Sequence, residues 1–313
     1  MALFPRLFVT PPELSRASAF VVPNIPEGLL PVKPSFLLGA AACALTLAFA
    51  APALADERSD SYLDRPNNLT IGVGGAYLPS YEGSDDYQWV PVGLVAGKVG
   101  GFGFITRGTT LTVDLIRDAP GAEVSFDLGP AVNLRLDRSS HIKDPQVRAL
   151  GKIDRAVELG VQAGIAKNRL LDPYDSLALR VIWLHDVSGT HGSSILTPSV
   201  EYSTPLSPRT FALLSASADH VGRGYAQTYF SITPTGAVQS GLPVFNASSG
   251  WKSVRIGLFL VQTLTGDLRR PHLSLFAGAS YSRMLNDFRR SPVVSVAGSP
   301  NQYLAAAGLA YSF

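Results

Sequence analysis

The sequence predicts an all-β protein, namely a transmembrane antiparallel up-and-down β-barrel of about twelve strands. Many short segments alternate apolar residues with Gly, Ser or polar residues, and this period of two is typical of β-strands. One Ala-rich apolar run near the start has the composition of a secretory leader. After that run, no segment is apolar over the roughly 18 residues that a membrane helix needs. A closed barrel is therefore the remaining way for the exported chain to cross a bilayer.

The composition excludes several other classes of protein. Of the 313 residues, 46% are hydrophobic and only 16% are charged, which excludes a disordered chain. Lys and Arg (26) barely outnumber Asp and Glu (24), which argues against a polybasic nucleic-acid binder. Cys43 is the one cysteine, which leaves no intramolecular disulfide and no cysteine-based metal site.

The leader occupies residues 1–55. Residues 35–55 (SFLLGAAACALTLAFAAPALA) end in a small-x-small site before a charged segment, so we expect cleavage after Ala55. Residues 1–32 are longer than an ordinary n-region, which fits an extended signal or a start codon assigned too far upstream. A retained anchor, or lipid attachment at Cys43, is a weaker interpretation of the same run. The barrel domain then comprises residues 56–313.

The alternation predicts the strands one after another. Clear examples are residues 69–74, 157–165, 254–261 and 273–282, and no convincing helix of any length is visible. Gly- and Pro-containing turn clusters separate the strands. The expected strands lie near 68–79, 87–98, 101–117, 122–137, 155–167, 175–187, 193–204, 209–221, 225–233, 250–264, 271–285 and 302–313. Residues 138–154 and 234–250 are the long connections, and we expect 234–250 to be a surface loop or an inward constriction.

The last strand carries a specific feature. From Tyr303 to Phe313, every second residue is apolar or aromatic, and Phe313 is the final residue. This pattern resembles the C-terminal assembly signal of bacterial outer-membrane barrels, so we expect the outer-membrane assembly machinery to bind it. The alternative architecture is a soluble periplasmic β-sandwich, which would bury the same apolar faces inside.

Three groups of residues contain side chains that could form a site, but none of the three patterns predicts one. Residues 81–87 (YEGSDDY) are interpreted as a solvated acidic turn rather than a cation site. His185, Asp186 and His191 lie near a strand end, but adjacent strand residues point to opposite faces, which argues against zinc. The five His are scattered and no Gly-x-Ser-x-Gly elbow is present, so we expect no catalytic, cofactor or metal site and no enzyme.

Charged residues within strands are assigned to the lumen. Arg180, Arg255 and Arg283 are expected to face inward, where Glu158 and Glu201 are available as partners. A charge on the lipid face would cost about 2–4 kcal/mol at the bilayer midplane. Ion pairs that fill a small barrel are the expected arrangement.

Several segments together resemble the MipA/OmpV family of outer-membrane proteins (MltA-interacting protein). They are residues 81–87, 103–108 (GFITRG), 111–115, 229–233 (YFSIT), 240–247 (SGLPVFNA) and 310–313. The resemblance spans nearly all of the chain after the leader and implies a β-barrel in the outer membrane of a Gram-negative cell, in contact with its lipid. It brings no catalytic residues.

Two classes of function follow from this resemblance and from the lumen charges. The family implies a non-enzymatic scaffold that joins a lytic transglycosylase to a penicillin-binding protein during peptidoglycan growth, or else a surface adhesin or antigen. The alternative is a narrow outer-membrane channel whose lumen Arg residues set a weak anion preference.

Overall fold

A computed structural model describes residues 67–119, 121–268 and 270–313. The predicted leader and its cleavage after Ala55 lie outside these residues. Within them, no helix has both the length and the apolar character required to cross a membrane.

The described residues form twelve strands and five short helices. The strands are β1 (Asn68–Pro79), β2 (Tyr87–Val99), β3 (Phe102–Arg107), β4 (Thr110–Asp114), β5 (Val124–Arg135), β6 (Ala156–Asn168), β7 (Ser176–Asp186), β8 (Ser194–Ser207), β9 (Thr210–Val221), β10 (Gly250–Thr263), β11 (His272–Met284) and β12 (Asn301–Ser312). The helices are α1 (Pro145–Ala149), α2 (Arg223–Phe230), α3 (Pro234–Ser240), α4 (Asn286–Arg290) and α5 (Pro292–Ser295).

The twelve strands close into one barrel in which each strand is antiparallel to its neighbours in sequence. The first and last strands complete the ring, with Val73 opposite Leu309 and Gly74 opposite Gly308. The predicted fold class, a twelve-stranded up-and-down barrel, is confirmed.

The strand count is right because two errors in the prediction compensate. Residues 101–117 were expected as one strand, but they form the β3–β4 hairpin, which turns at Gly108 with a φ of 61°. Residues 225–233 were expected as a strand, but most of them lie in α2. The buried side chains of α2 are Tyr225, Ala226, Tyr229 and Phe230, a spacing that follows one face of a helix rather than a period of two.

The outer face of the barrel is apolar and carries aromatic side chains near both ends. Tyr77 packs against Trp89, and Tyr281 packs against Tyr303, at the end where β2 and β12 begin. Tyr311 lies eight residues beyond Tyr303 on the same face of β12, which is about 26 Å along the strand. Such bands are typical of barrels that span an outer membrane.

Arg283 does not face the lumen as expected. It pairs with Val254 on β10 and shares a face with Tyr281, which is the outer face. Because it is next to the last residue of β11, its position is at the rim, where water is close and the cost of a charge on this face is small.

The two ends of the barrel differ. Asn68 and Ser312 lie at one end, which we call the turn end, where the connections between strands contain no helix. The connections at the opposite end, residues 80–86, 136–155, 187–193, 222–249 and 285–300, include the three longest of the described barrel and contain all five helices. We call these five connections the loop cap.

Candidate functional site

The loop cap has its own hydrophobic core, which lies over one mouth of the barrel. Tyr225, Tyr229 and Phe230 of α2 are fully buried, and Phe230 meets the edge of the Phe288 ring of α4 with 5.1 Å between centroids. The cluster also includes Ile195 and Met284 from the ends of the barrel strands. The cap therefore packs directly onto the wall.

A second buried cluster joins the remaining connections. It brings together Tyr81, Val147 of α1, Leu242 and Val293 of α5. The Tyr81 hydroxyl donates to the carbonyl of Ala297, which links the first connection to the last. Residues 234–250, expected as a loop or a constriction, thus contribute α3 and buried side chains to this cap.

The start of α1 and α3 follows from local sequence. Asp144 accepts the N–H of Val147 at 2.8 Å and precedes Pro145, the first residue of α1. Thr233 accepts the N–H of Gly236 at 3.1 Å and precedes Pro234 in the same way. A capping side chain followed by Pro is the usual start of a helix.

Glu82 is the centre of a buried charge network beneath this cap. Its carboxylate accepts two hydrogen bonds from Lys252 Nζ, at 2.9 and 3.0 Å, and one from the Tyr225 hydroxyl at 2.6 Å. Arg135 Nη1 lies 3.3 Å away and also donates to the Tyr225 oxygen. One connection, one helix and two barrel strands are therefore joined through a single carboxylate.

Arg135 extends the network into the wall. Its Nε donates to Glu158 Oε1 at 2.6 Å, and Glu158 is fully buried. Asn133 and His191 supply further hydrogen bonds to the same carboxylate, at 2.7 and 3.1 Å. A buried carboxylate with this many donors is compensated for the loss of water.

Lys252 reaches Glu82 because β10 is irregular at that point. The register with β9 shifts between Trp251 and Ser253, which is a β-bulge that inserts Lys252 as an extra residue. Its ammonium group also lies 3.5 Å from Asp219, and its side chain is only 4% exposed. We call Glu82, Arg135, Glu158, Asp219, Tyr225 and Lys252, with Asn133 and His191, the cap network.

The cap network shifts the pKa values of the groups that lie outside the strands. Burial raises the pKa of Glu82, but Lys252 and Arg135 outweigh it, so this pKa lies below its ordinary value. Burial, followed by the negative charge of Glu82, raises the pKa of Asp137 to about 6. Burial also raises the pKa of Tyr225 well above its ordinary value, which keeps its hydroxyl protonated as a donor.

A second set of charges crosses the lumen deeper in the barrel. Arg180 bridges Asp127 and Glu201, at 2.5 Å to each, and Arg107 approaches Glu201 at 3.3 Å. The expected inward position of Arg180 and its pairing with Glu201 are confirmed. Arg255 also faces inward, 3.9 Å from Asp219. We call Arg107, Asp127, Arg180 and Glu201 the lumen network.

Asp186 and His185, two further candidates from the sequence, make separate local contacts. Asp186 accepts N–H groups from Ser188, His191 and Gly192, so it orders its own connection. His185 lies on the opposite face and contacts Ser194, as the strand argument predicts. In the part of the chain that the structure describes, no group of three His, Cys, Asp or Glu side chains is placed to hold a metal ion.

The interpretation of residues 81–87 as a solvated acidic turn is wrong for Glu82. Asp85 is exposed, but the Glu82 side chain points inward, where it pairs with Arg135 and Lys252 and accepts a hydrogen bond from the Tyr225 hydroxyl. Sequence reasoning also missed Arg135 and Lys252. Each is a charged residue at the end of an otherwise apolar, alternating segment, and this is the sequence signal that could have identified them.

The turn end presents a different surface. Its connections expose apolar side chains, among them Leu171 (82%) and Tyr174 (54%) in the same connection between β6 and β7. Exposed large apolar groups on a polar rim are typical of protein contact sites. The arrangement gives the molecule one mouth covered by the loop cap and one end with surface available to a partner.

The chain matches one protein-family model and is similar to several solved structures. The family model described as MltA-interacting protein MipA matches residues 71–313. Among solved structures, the chain is similar to a Pseudomonas aeruginosa FadL homologue, at 12% identity over 79% of this chain and 89% of that one, with a TM-score of 0.27. It is also similar to Pseudomonas aeruginosa OccK11 (OpdR), at 10% identity over 81% and 97% of the two chains, with a TM-score of 0.26. No curated protein matches the chain.

Proposed function

Because this chain belongs to the MltA-interacting protein MipA family, we propose that it is a non-enzymatic scaffold of the outer membrane that binds a lytic transglycosylase. The family name supplies the class of partner. A penicillin-binding protein is the second partner in this proposal, so that the barrel holds a cutting and a synthesising enzyme at one place.

One observation carries the choice of scaffold over channel. The cap network joins the loop cap to the barrel wall, and the cap contains two clusters of buried hydrophobic side chains. We infer that opening this mouth would separate Glu82 from Lys252 and Arg135, which we expect to cost about 2 kcal/mol because the Glu82 side chain is 26% exposed. The capped barrel is better suited to contact than to conduction.

The turn end is the proposed contact surface. In outer-membrane barrels the short turns face the periplasm and the long loops face outward. Leu171 and Tyr174 then project towards the compartment that holds cell-wall enzymes. Burial of one large apolar side chain is worth about 1.5–3 kcal/mol, so this pair would contribute substantially to binding.

Co-purification of a lytic transglycosylase with the folded barrel tests the proposal. We expect the wild-type protein to retain the enzyme and the Leu171→Ser, Tyr174→Ser variant to lose it. The matched control is Val238→Ser, because Val238 is 87% exposed but lies on α3 at the opposite end. Equal retention by all three proteins, or none by the wild type, would contradict the proposal.

A planar-bilayer recording tests the channel alternative. We expect the wild-type barrel to insert without steady conductance, because the cap covers one mouth. Stable, anion-selective steps from a protein with an intact cap would favour the channel instead.

A further inference from the structure

Arg255 of β10 faces the lumen and forms no hydrogen bond with any of the described residues. Its one ion-pair contact among them joins Nη2 to Asp219 Oδ2 at 3.9 Å, which is too long for a hydrogen bond. Four other inward-facing cations each donate a hydrogen bond to a carboxylate, namely Arg107, Arg135, Arg180 and Lys252. Arg255 therefore keeps donors that the protein itself does not use.

Asp219 does not supply the missing bonds, because its carboxylate is already occupied. Its Oδ1 accepts from the Thr197 hydroxyl at 2.9 Å. Its Oδ2 accepts from the Ser253 hydroxyl at 3.3 Å and lies 3.5 Å from Lys252 Nζ. The Asp219 side chain is 12% exposed, whereas that of Arg255 is 46% exposed. Because Arg255 faces inward, its guanidinium group borders accessible space inside the barrel.

Serine residues surround Arg255 on the lumen face of the wall. Ser217 of β9 and Ser282 of β11 lie directly opposite Arg255 in the two neighbouring strands. Residues in such positions have Cβ atoms about 4.5–5.5 Å apart. A second pair, Ser215 and Ser280, lies two residues further towards the turn end. We call Arg255 and these four serines the Arg255 cluster.

Most hydroxyl groups of the Arg255 cluster are available to a ligand. Those of Ser217, Ser280 and Ser282 form no hydrogen bond within the part of the chain that the structure describes. The Ser215 hydroxyl donates to the carbonyl of Gly257 at 3.4 Å, which is a long bond. A Cβ at Gly257 would lie 2.9 Å from Ser215 Oγ, so glycine keeps this hydroxyl clear.

The Arg255 cluster offers positive charge and hydrogen-bond donors. The other carboxylate that borders it is Glu201, which lies opposite Ser215. Glu201 already accepts from Arg180 at 2.5 Å and from Arg107 at 3.3 Å. Since both bordering carboxylates are paired with cations, the guanidinium charge of Arg255 is left without a close counter-ion. Guanidinium and hydroxyl donors together are suited to a carboxylate or a phosphate.

The barrel has room for a small solute beside this cluster. A barrel of about eight strands is just wide enough for its own side chains to fill, and this one has twelve. The inward residues next to Arg255 on β9, β10 and β11 are Ser or Gly, which are small. Three of the four serines are only half-buried, namely Ser215, Ser217 and Ser280.

From these observations we propose that the Arg255 cluster binds the oxyanion group, carboxylate or phosphate, of a small solute in the lumen. Arg255 donates two N–H groups to two oxygens of the anion, and Ser217 and Ser282 donate from either side. The lumen beneath the loop cap is then a binding chamber. This site is independent of the scaffold contact at the turn end, so either proposal can fail without the other.

Isothermal titration of the folded barrel with inorganic phosphate and with acetate, at constant ionic strength in chloride, tests the site. We expect saturable binding at one site, and Arg255→Gln should weaken it by about 10- to 100-fold because a charged donor is lost. The matched control is Arg283→Gln, since Arg283 lies beside Ser282 on the outer face and should not affect binding. No saturable binding of either anion, or equal binding by Arg255→Gln, would overturn the proposal.

A second variant tests the site with Arg255 in place. Ser217→Asp puts a carboxylate opposite the guanidinium group, so it should abolish anion binding by occupying Arg255 from within the wall. Ser203→Asp is its control, because Ser203 also faces inward but lies opposite Leu213, nearer the turn end, and it should keep binding. Retained binding in Ser217→Asp would contradict the proposal even if Arg255→Gln failed to fold. The ratio of phosphate to acetate affinity shows which oxyanion the site prefers.

Discussion

Neutralising Glu82 should loosen the loop cap while leaving the barrel closed. In Glu82→Gln, Lys252 and Arg135 lose the carboxylate that joins them, but Lys252 retains Asp219 at 3.5 Å and Arg135 retains Glu158 at 2.6 Å. The substitution therefore removes the ionic part of the link between the cap and the wall without leaving either cation alone, whereas the Tyr225 hydroxyl still accepts from Arg135 and Lys252.

The size of the effect follows from this geometry. Removing one partner of a fully buried ion pair costs about 3–5 kcal/mol. The Glu82 side chain is 26% exposed and both cations retain an anion, so we expect about 2 kcal/mol. That free energy corresponds to an opening equilibrium for the cap that is about 30-fold more favourable.

Amide hydrogen exchange of α2 measures this opening. We expect exchange there to be about 30-fold faster in Glu82→Gln, with no change in the middle of β6. Asp85→Asn is the matched control, because Asp85 is an exposed carboxylate in the same connection. Pairing Glu82→Gln with Lys252→Met should recover part of the protection, since both ends of the ion pair are then removed. Unchanged exchange in Glu82→Gln would refute the role given to the cap network.

Three further predictions concern pH, backbone approach and the lumen. The folded state raises the pKa of Asp137 from 3.8 to about 6, so its contribution to stability is complete below about pH 4 and is lost as the pH rises through 6. Cap exchange, corrected for the intrinsic rate, should therefore be faster at pH 7 than at pH 5, and Asp137→Asn should remove that difference. Gly160→Ala should lower the stability in urea by about 1–3 kcal/mol, because its Cβ would lie 1.8 Å from the Trp183 carbonyl oxygen, whereas Gly93→Ala should be neutral. Arg180→Met should cost about 3 kcal/mol by the same denaturation, since two lumen carboxylates lose their shared cation.

Each of these has a result that would contradict it. A cap whose exchange difference between pH 5 and pH 7 survives in Asp137→Asn would place the titrating group elsewhere. Equal urea midpoints for the two glycine variants would show that the strands adjust freely at Gly160. An Arg180→Met protein as stable as the wild type would mean that water already screens the lumen network.

The barrel could be predicted from the sequence because every strand has one face in lipid and one in the lumen. That difference imposes a period of two on segments such as residues 157–165, and the period survives in a single sequence. The same rule failed at residues 101–117, since apolar alternation continues through the hairpin and Gly108 is the one local sign of its turn. It failed again at α2, whose aromatic residues are common in strands but here pack into the cap.

The cap network could not be predicted, for a physical reason. Its five charged members Glu82, Arg135, Glu158, Asp219 and Lys252 come from five separate parts of the chain, and each is a lone charge near the end of a strand or within a connection. A lone charge in such a place is usually solvated, which is why Glu82 was assigned to a solvated turn. The bulge that brings Lys252 inward depends on the register with β9 and has no signal in β10 alone.

The tight junction of β1 with β12 limits where the barrel can open. Gly74 and Gly308 face each other there, so closely that a methyl group on either would overlap the opposite backbone. The Phe276 ring, 4% exposed, covers this junction from inside and touches both terminal strands through Gly72 and Gly308. Separating β1 from β12 would leave the Phe276 ring and the backbones of Gly74 and Gly308 without packing neighbours. Thermal opening of the barrel is consequently directed away from the place where the first and last strands meet and towards the short β3–β4 hairpin about a quarter of the way round.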